Sequence, residues 1–295
     1  MNETAQVELR TPDKTDGHTR VEPLTPHKTD DGMRPEQKPL LRVLISAGRS
    51  GTHWLKEMIS AALGTPPVEQ GAWDTQTLQG ILEGCGRRQL VYEHFRFNLH
   101  GAILDPARYP DMRIVLLHRH PFDQFISTAW YHLRIDNLWR GKINGLWELP
   151  DPDLDPSEVA RAMLIGEYDD RIRGSRGSYA VRWFIESLEW TTINWIESGR
   201  CCQVKYEDLV ERTEEELIRV LNHLEIRFDE ADIPQIVERN RFENLSGGRS
   251  RGEADGSHHY RKGTPGEWRS VFTDDDMPIL RERYGDCLAR LGYSI

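Results

Sequence analysis

Ile45-Ser-Ala-Gly-Arg-Ser-Gly-Thr-His-Trp54 follows the apolar run Leu41 to Ile45 and leads into Leu55, Met58, Ile59, Ala62 and Leu63 at helical spacing, with Gly64 where a C-terminal cap belongs. The pattern predicts a strand, a tight turn and an amphipathic helix. At such a junction the first helical amides lack intrahelical acceptors and the positive end of the dipole faces the turn, which favours a phosphate-like anion. Gly48 and Gly51 allow close backbone approach, and Arg49 adds a permanent fork of donors. Two residues, not four, separate these glycines and no lysine follows the second. The segment is therefore not a Walker A loop, and a magnesium-nucleoside triphosphate site is disfavoured.

Further along, Gln89 to Tyr92 reads as a short strand and Arg113-Ile-Val-Leu-Leu117 as a stronger one, apolar without alternation and suited to a sheet covered on both faces. Pro121 opens a helix with Phe122, Phe125, Ile126, Ala129, Trp130 and Leu133 on its apolar stripe. A long helix is expected around Ser178 to Ser198, then a strand from Cys201 to Lys205. Thr213-Glu-Glu-Glu216 has capping-box spacing before another helix. Alternating strands and helices imply an α/β domain with a central parallel sheet flanked by helices. Ligands of such sheets bind beyond the carboxyl ends of the strands, where Arg49, Arg119 and Tyr206 fall. Ser127 lies about two helical turns after Arg119, so the two can share a second phosphate.

The 295 residues carry a net charge of −10, which argues against nucleic acid or an anionic membrane surface as partner. No segment reaches membrane-spanning length and the N-terminus lacks a signal peptide's apolar stretch, so a cytoplasmic protein is expected. Residues 1–38 are polar and charged and read as a disordered tail, leaving a single domain over 39–295. Cys85, Cys201, Cys202 and Cys287 form no Cys-x-x-Cys pair and read as free thiols. No His, Cys or carboxylate group has metal-ligand spacing, and no metal is expected.

Four segments resemble, in order, those of the PAPS-dependent sulfotransferases, closest to the cytosolic type acting on small molecules. Arg49-Ser-Gly-Thr-His-Trp54 resembles the family's 5′-phosphosulfate loop, usually Lys-Ser-Gly-Thr-Thr-Trp. Arg119 to Ser127 resembles its 3′-phosphate motif, and Tyr206-Glu-Asp-Leu209 the segment whose tyrosine approaches adenine. Arg261-Lys-Gly-Thr-Pro-Gly-Glu-Trp268 resembles the signature Arg-Lys-Gly-x-x-Gly-Asp-Trp. The resemblance runs from about Leu41 to Thr273. It implies a P-loop-like fold binding 3′-phosphoadenosine 5′-phosphosulfate (PAPS) as co-substrate and releasing PAP. Arg49, Ser50, Gly51, Thr52 and His53 would face the phosphosulfate. Trp54, Tyr206 and Phe242 would lie near adenine, and Arg119, Ser127, Arg261, Lys262 and Gly263 around the 3′-phosphate.

Sulfuryl transfer needs a base for the acceptor and positive charge for the departing phosphate oxygen. Arg49 suits the second role. His94 is the expected base, since histidine titrates near neutrality and the family's base is a histidine here. The usual pattern is Lys-x-His, whereas this chain has Tyr92-Glu93-His94 and lacks that lysine. Glu93 is the alternative base, but adjacent strand residues face opposite ways. As candidate bases His53, His100, His118 and His120 are read as ordinary surface or core histidines; His53, in place of the second loop threonine, meets phosphate through its side chain or only through its backbone amide. The expected acceptor is a small alcohol or phenol. A carbohydrate or peptide acceptor, or PAP binding without transfer, are the alternatives, and the oligomeric state stays open.

Overall fold

The computed structural model describes residues 40–68, 75–84, 89–135, 155–166 and 184–295. The expected tail, Cys85 and the first part of the helix expected from Ser178 lie outside these residues.

Four strands form one parallel sheet: β1 (Leu41–Ser46), β2 (Leu90–Glu93), β3 (Met112–His118) and β4 (Cys202–Lys205), in the order β2-β1-β3-β4. Ser46 pairs with Leu117 and His118 with Lys205, so the strand ends are level and deliver their following loops to one edge. β1 is buried throughout because both faces are covered. Leu44 joins Leu90, Val115, Leu117 and Val204 in one apolar layer, while Leu41, Val43 and Ile45 join Val91, Ile114 and Leu116 in the other. That division is the period-two geometry of a strand, and parallel strands covered on both sides need no polar face.

Helix α1 (Thr52–Leu63) starts behind Gly51 and ends at Gly64, both left-handed, as the sequence pattern requires. Helix α2 is Pro121–Trp130, with proline in its first turn, and α3 is Pro156–Ile165. Helices α4 (Tyr206–Glu211) and α5 (Thr213–His223) follow β4 directly, and α6 (Met277–Arg290) packs Leu280, Tyr284 and Leu288 against Phe122, Val159, Met163 and Leu164.

Arg42, inside β1, has no exposed surface. Its Nε donates to the Leu224 carbonyl at 2.9 Å and Nη2 to that of Glu225 at 3.2 Å, satisfying acceptors beyond the end of α5. Burial lowers its pKa and the Glu225 charge opposes that.

Two local expectations are corrected. Thr213 does not cap α5: it is the first helical residue, its Oγ1 donates to Leu209 O at 2.8 Å, and Glu216 pairs with Arg219 at 2.5 Å. Helix α4 runs to within one residue of α5, and Arg212 N–H is already bonded to Asp208 O, so no extended cap residue fits between them. The helix expected through Ser198 is regular only in part. Glu189–Ile193 is a π-turn, followed by an α-helical turn Asn194–Glu197. The wider turn shifts the register, and Trp195 becomes fully buried with Nε1 donating to Phe95 O at 2.9 Å.

Candidate active site

The turn after β1 is held on three sides. Ser46 Oγ and Thr52 Oγ1 lie 2.6 Å apart, and Gln124 of α2 donates to Gly48 O at 2.9 Å. A side chain on Gly51, at φ 95°, would sit 2.8 Å from the Tyr206 ring. Arg49 has φ 66°, an unusual conformation for a non-glycine residue that costs about 1–3 kcal/mol and belongs to sites whose surroundings enforce it. Ser50 is fully buried, and its hydroxyl has no partner among the described residues.

Arg49 reaches across to α2 and to the segment before Arg261. Its Nε lies 3.5 Å from Ser127 Oγ, Nη1 lies 3.2 Å from His259 Nδ1, and Nη2 donates to His259 O at 2.9 Å. The guanidinium stacks 4.7 Å from the centre of Tyr131, which the π-turn Tyr131–Ile135 presents. Burial pulls the Arg49 pKa down to about 10; Tyr131 opposes this, while Arg119 and Arg261 add to it. Arg49 thus remains cationic at neutral pH, and the three arginines are close enough to feel one another.

Arg119 and Arg261 are held alike. Arg119 lies over Tyr206 at 4.6 Å, its Nη2 donates to Thr264 O at 3.1 Å, and the same nitrogen is 3.6 Å from Asp123. Arg261 lies 5.1 Å from the centre of Trp130, with Nη1 bonded to Glu267 Oε1 at 2.9 Å and Nη2 to Glu267 Oε2. Lys262 Nζ approaches Glu267 at 3.6 Å. Both arginines are more than nine-tenths buried, and the Nε of each has no partner among the described residues. Burial pushes the Glu267 pKa up, but hydrogen bonds from Arg261 and the charges of Arg261, Lys262 and Arg119 outweigh it, leaving a net lowering. Asp123, wholly buried, accepts from Gly266 N at 2.5 Å and Trp268 N at 2.9 Å, joining the 261–268 loop to α2.

Trp54 and Tyr206 meet edge to face at 6.2 Å, and Arg251 stacks 5.0 Å from Trp54. Gly263, at φ 72°, has the Phe242 ring where a side chain would begin. Beside this wall opens a cleft of about 560 Å³ lined by Trp54, Arg251, Glu243 and the start of α5. Trp54 Nε1 is buried without a partner among the described residues. His53 is half-buried, its ring 5.0 Å from that of His259 and 6.4 Å from that of Tyr92.

His94 follows β2. Its Nδ1 is 2.8 Å from Ser46 O, and a side chain on Gly48 would lie 3.8 Å from Nε2. The Glu93 carboxylate accepts the His94 backbone N–H at 2.9 Å. His118 and His120 are buried behind Arg119, and burial lowers the pKa of each to about 4, with Lys205 adding to the effect on His118 and Asp123 opposing it on His120. Tyr293 braces this rear wall: its hydroxyl donates to Glu207 at 3.0 Å and lies 3.2 Å from His118 Nδ1, while Glu207 also accepts the His120 backbone N–H.

Thus Arg49, Arg119, Ser127 and Arg261 converge, Lys262 joins them through Glu267, and Gly263, Phe242, Trp54 and Tyr206 form the adjoining wall. Sequence reading passes over Tyr131, His259, Asp123, Glu267 and Trp130. Asp123 and Glu267 do stand within the two phosphate motifs, and that position is the signal available for them. Among the described residues no group of three or more His, Cys, Asp or Glu is arranged to hold a metal, and no helix is long and apolar enough to cross a membrane.

A model of the sulfotransferase domain matches residues 42–292. The chain is similar to cytosolic sulfotransferase 13 of Arabidopsis thaliana, with 25% identity over 261 residues that cover 81% of this chain and 73% of the relative. Cytosolic sulfotransferase 14 of the same plant is 26% identical over 231 residues, covering 69% and 60%. In three dimensions the chain resembles mouse sulfotransferase SULT7A1 complexed with PAP, with a TM-score of 0.54 at 18% identity, covering 85% of this chain and 84% of that one. This last likeness concerns the fold, the P-loop-like α/β sheet. Because the domain model spans nearly the whole described core, from β1 to the end of α6, the chain belongs to the sulfotransferase domain family and is a sulfuryl-transferring enzyme.

Proposed function

We propose that the chain transfers the sulfuryl group of PAPS to the hydroxyl of a small alcohol or phenol, with His94 as general base. The observation that carries the donor half is the pair of buried guanidiniums, Arg119 and Arg261, each with an Nε that has no partner among the described residues. Buried charged donors are costly when unmade, and a phosphate monoester meets that need. Arg119, Ser127, Arg261, Lys262 and Gly263 would hold the 3′-phosphate. Arg49, Ser50, Gly51, Thr52 and His53 would hold the phosphosulfate, and Trp54, Tyr206 and Phe242 the adenine.

When bound, PAPS supplies an activated sulfuryl group whose bond to the 5′-phosphate oxygen breaks as the acceptor oxygen attacks sulfur. His94 Nε2 takes the acceptor's proton, while Arg49 and the loop amides neutralise charge on the departing phosphate. His259 and Ser127, which Arg49 touches, are not carboxylates, so its charge stays available. This matters more here because Tyr92 stands where the family's lysine is usual. The scheme rests on positioning and charge and invokes no metal. The small-molecule acceptor follows from the resemblance to the cytosolic type, and the relatives' names support a cytoplasmic enzyme.

Calorimetric titration tests the donor. PAP should bind roughly thirty- to a thousandfold more tightly than ADP, the effect of about 2–4 kcal/mol of charge-assisted bonding. Equal affinities would remove PAPS from the reading. Transfer of labelled sulfate to mixed alcohols, phenols, amines and glycans tests the acceptor, and label on glycans alone overturns the small-molecule assignment.

A further inference from the structure

We infer that Glu267 and Asp123 are positioning residues for the nucleotide: each ties back one edge of a buried arginine so that its Nε–H is what faces the ligand. The inference rests on the donor reading above and concerns how the chain makes its 3′-phosphate site selective. A guanidinium has five N–H donors in a rigid fork, so fixing its Nη atoms also fixes where Nε points. Arg261 spends both Nη atoms on Glu267. Arg119 directs Nη2 to Thr264 O and Asp123. An aromatic face holds each plane, Trp130 for Arg261 and Tyr206 for Arg119. The same atom, Nε, has no partner among the described residues in both, at more than nine-tenths burial.

Ion pairs built only for stability would not leave the same donor unmade twice. The two ties are also one assembly. Asp123 accepts from Gly266 N and Trp268 N, on either side of Glu267, so the carboxylate beside Arg119 sets the loop that carries the carboxylate of Arg261. Charge points to the class of ligand. Around the 3′ position Arg119, Arg261 and Lys262 bring three positive charges, and Asp123 and Glu267 two negative ones. The pocket keeps a net positive charge after both carboxylates are counted, which suits the phosphate monoester that PAP carries at its 3′ position and ADP does not.

The experiment is calorimetric titration of the full chain with PAP and with ADP. In Glu267→Gln the side chain keeps its size, but its amide no longer holds the fork. The preference for PAP over ADP should fall about tenfold while ADP affinity stays within about twofold, and Glu267→Asp should restore most of the preference. A Glu267→Gln protein with the wild-type preference overturns the inference, as does one that loses PAP and ADP affinity equally. A wild-type chain that shows no preference for PAP refutes the donor reading instead. Should Glu267→Gln fail to fold, Arg261→Lys decides the same point, since lysine keeps the charge opposite Glu267 but has no Nε edge. The same tenfold fall is expected, and an unchanged preference overturns the inference.

Discussion

The carbonyl oxygen of Ser46 lies 2.8 Å from Nδ1 of His94, and because a carbonyl only accepts, the imidazole proton is assigned to Nδ1 and the lone pair to Nε2. The end of β1 therefore sets the tautomer of a ring on the neighbouring strand, and the basic nitrogen faces the Gly48 turn. His94→Ala should lower single-turnover sulfate transfer about a hundredfold or more and leave PAP affinity within about twofold. Glu93→Ala should do less, because that carboxylate is occupied by the His94 backbone N–H. Full activity in His94→Ala would take histidine out of the mechanism.

Glycine substitutions separate backbone strain from loss of space. Gly263→Ala puts a methyl group into the Phe242 ring at a φ of 72°, whereas Gly247→Ala, at φ 78°, meets nothing within 4 Å. Gly247→Ala should cost about 1 kcal/mol, the penalty of a left-handed alanine. Gly263→Ala should cost about 2 kcal/mol or more and weaken PAP binding as well. Urea denaturation of both proteins gives the comparison, and equal midpoints would show that Phe242 yields freely.

Acid should destabilise the fold through its buried histidines. His118 and His120 have folded pKa values near 4 against an ordinary value of 6.5. The unfolded chain therefore binds protons that the native chain refuses between these limits, and stability rises with pH across that window. On acidification from pH 7.5 to 4.5, stability should fall by up to about 3 kcal/mol for His118 alone, and the contribution of these rings flattens below their folded values near 4. Denaturation midpoints measured across the range check this, and a midpoint constant from pH 7 to 4.5 would contradict the burial of these rings as neutral species.

Removal of residues 1–35 should leave PAP affinity within tenfold of the full chain, since every residue assigned to the nucleotide lies beyond Leu40. Titration of the shortened protein tests it, and a larger loss would place a donor contact in that segment.

All four strands, the strand-turn-helix at Arg49 and the Pro121 helix were legible because periodicity and turn chemistry are local. The same locality explains the failures. Capping-box spacing at Thr213 could not reveal that α4 runs to Glu211, one residue short of α5, and the stripe of the later helix, which did include Trp195, could not reveal the π-turn at Glu189–Ile193. That Arg42 is buried within β1 depends on Leu224 and Glu225, whose carbonyls it reaches from across the sequence. In the site, the cations stand out within their motifs. Their arrangement depends on partners from other segments: His259 on Arg49, 210 residues away, and Trp130 under Arg261. No spacing rule encodes contacts of that separation.

The bonds from Asp123 to Gly266 and Trp268, backed by Tyr293 on Glu207, make the nucleotide site a late product of the chain. During synthesis the phosphate-loop half emerges first, but the opposing half of the cradle is missing until residue 268 is free to fold back. A ribosome-bound chain shorter than that lacks the loop that Asp123 holds, so the cations after β1 and β3 stand without Arg261 and Lys262 opposite them.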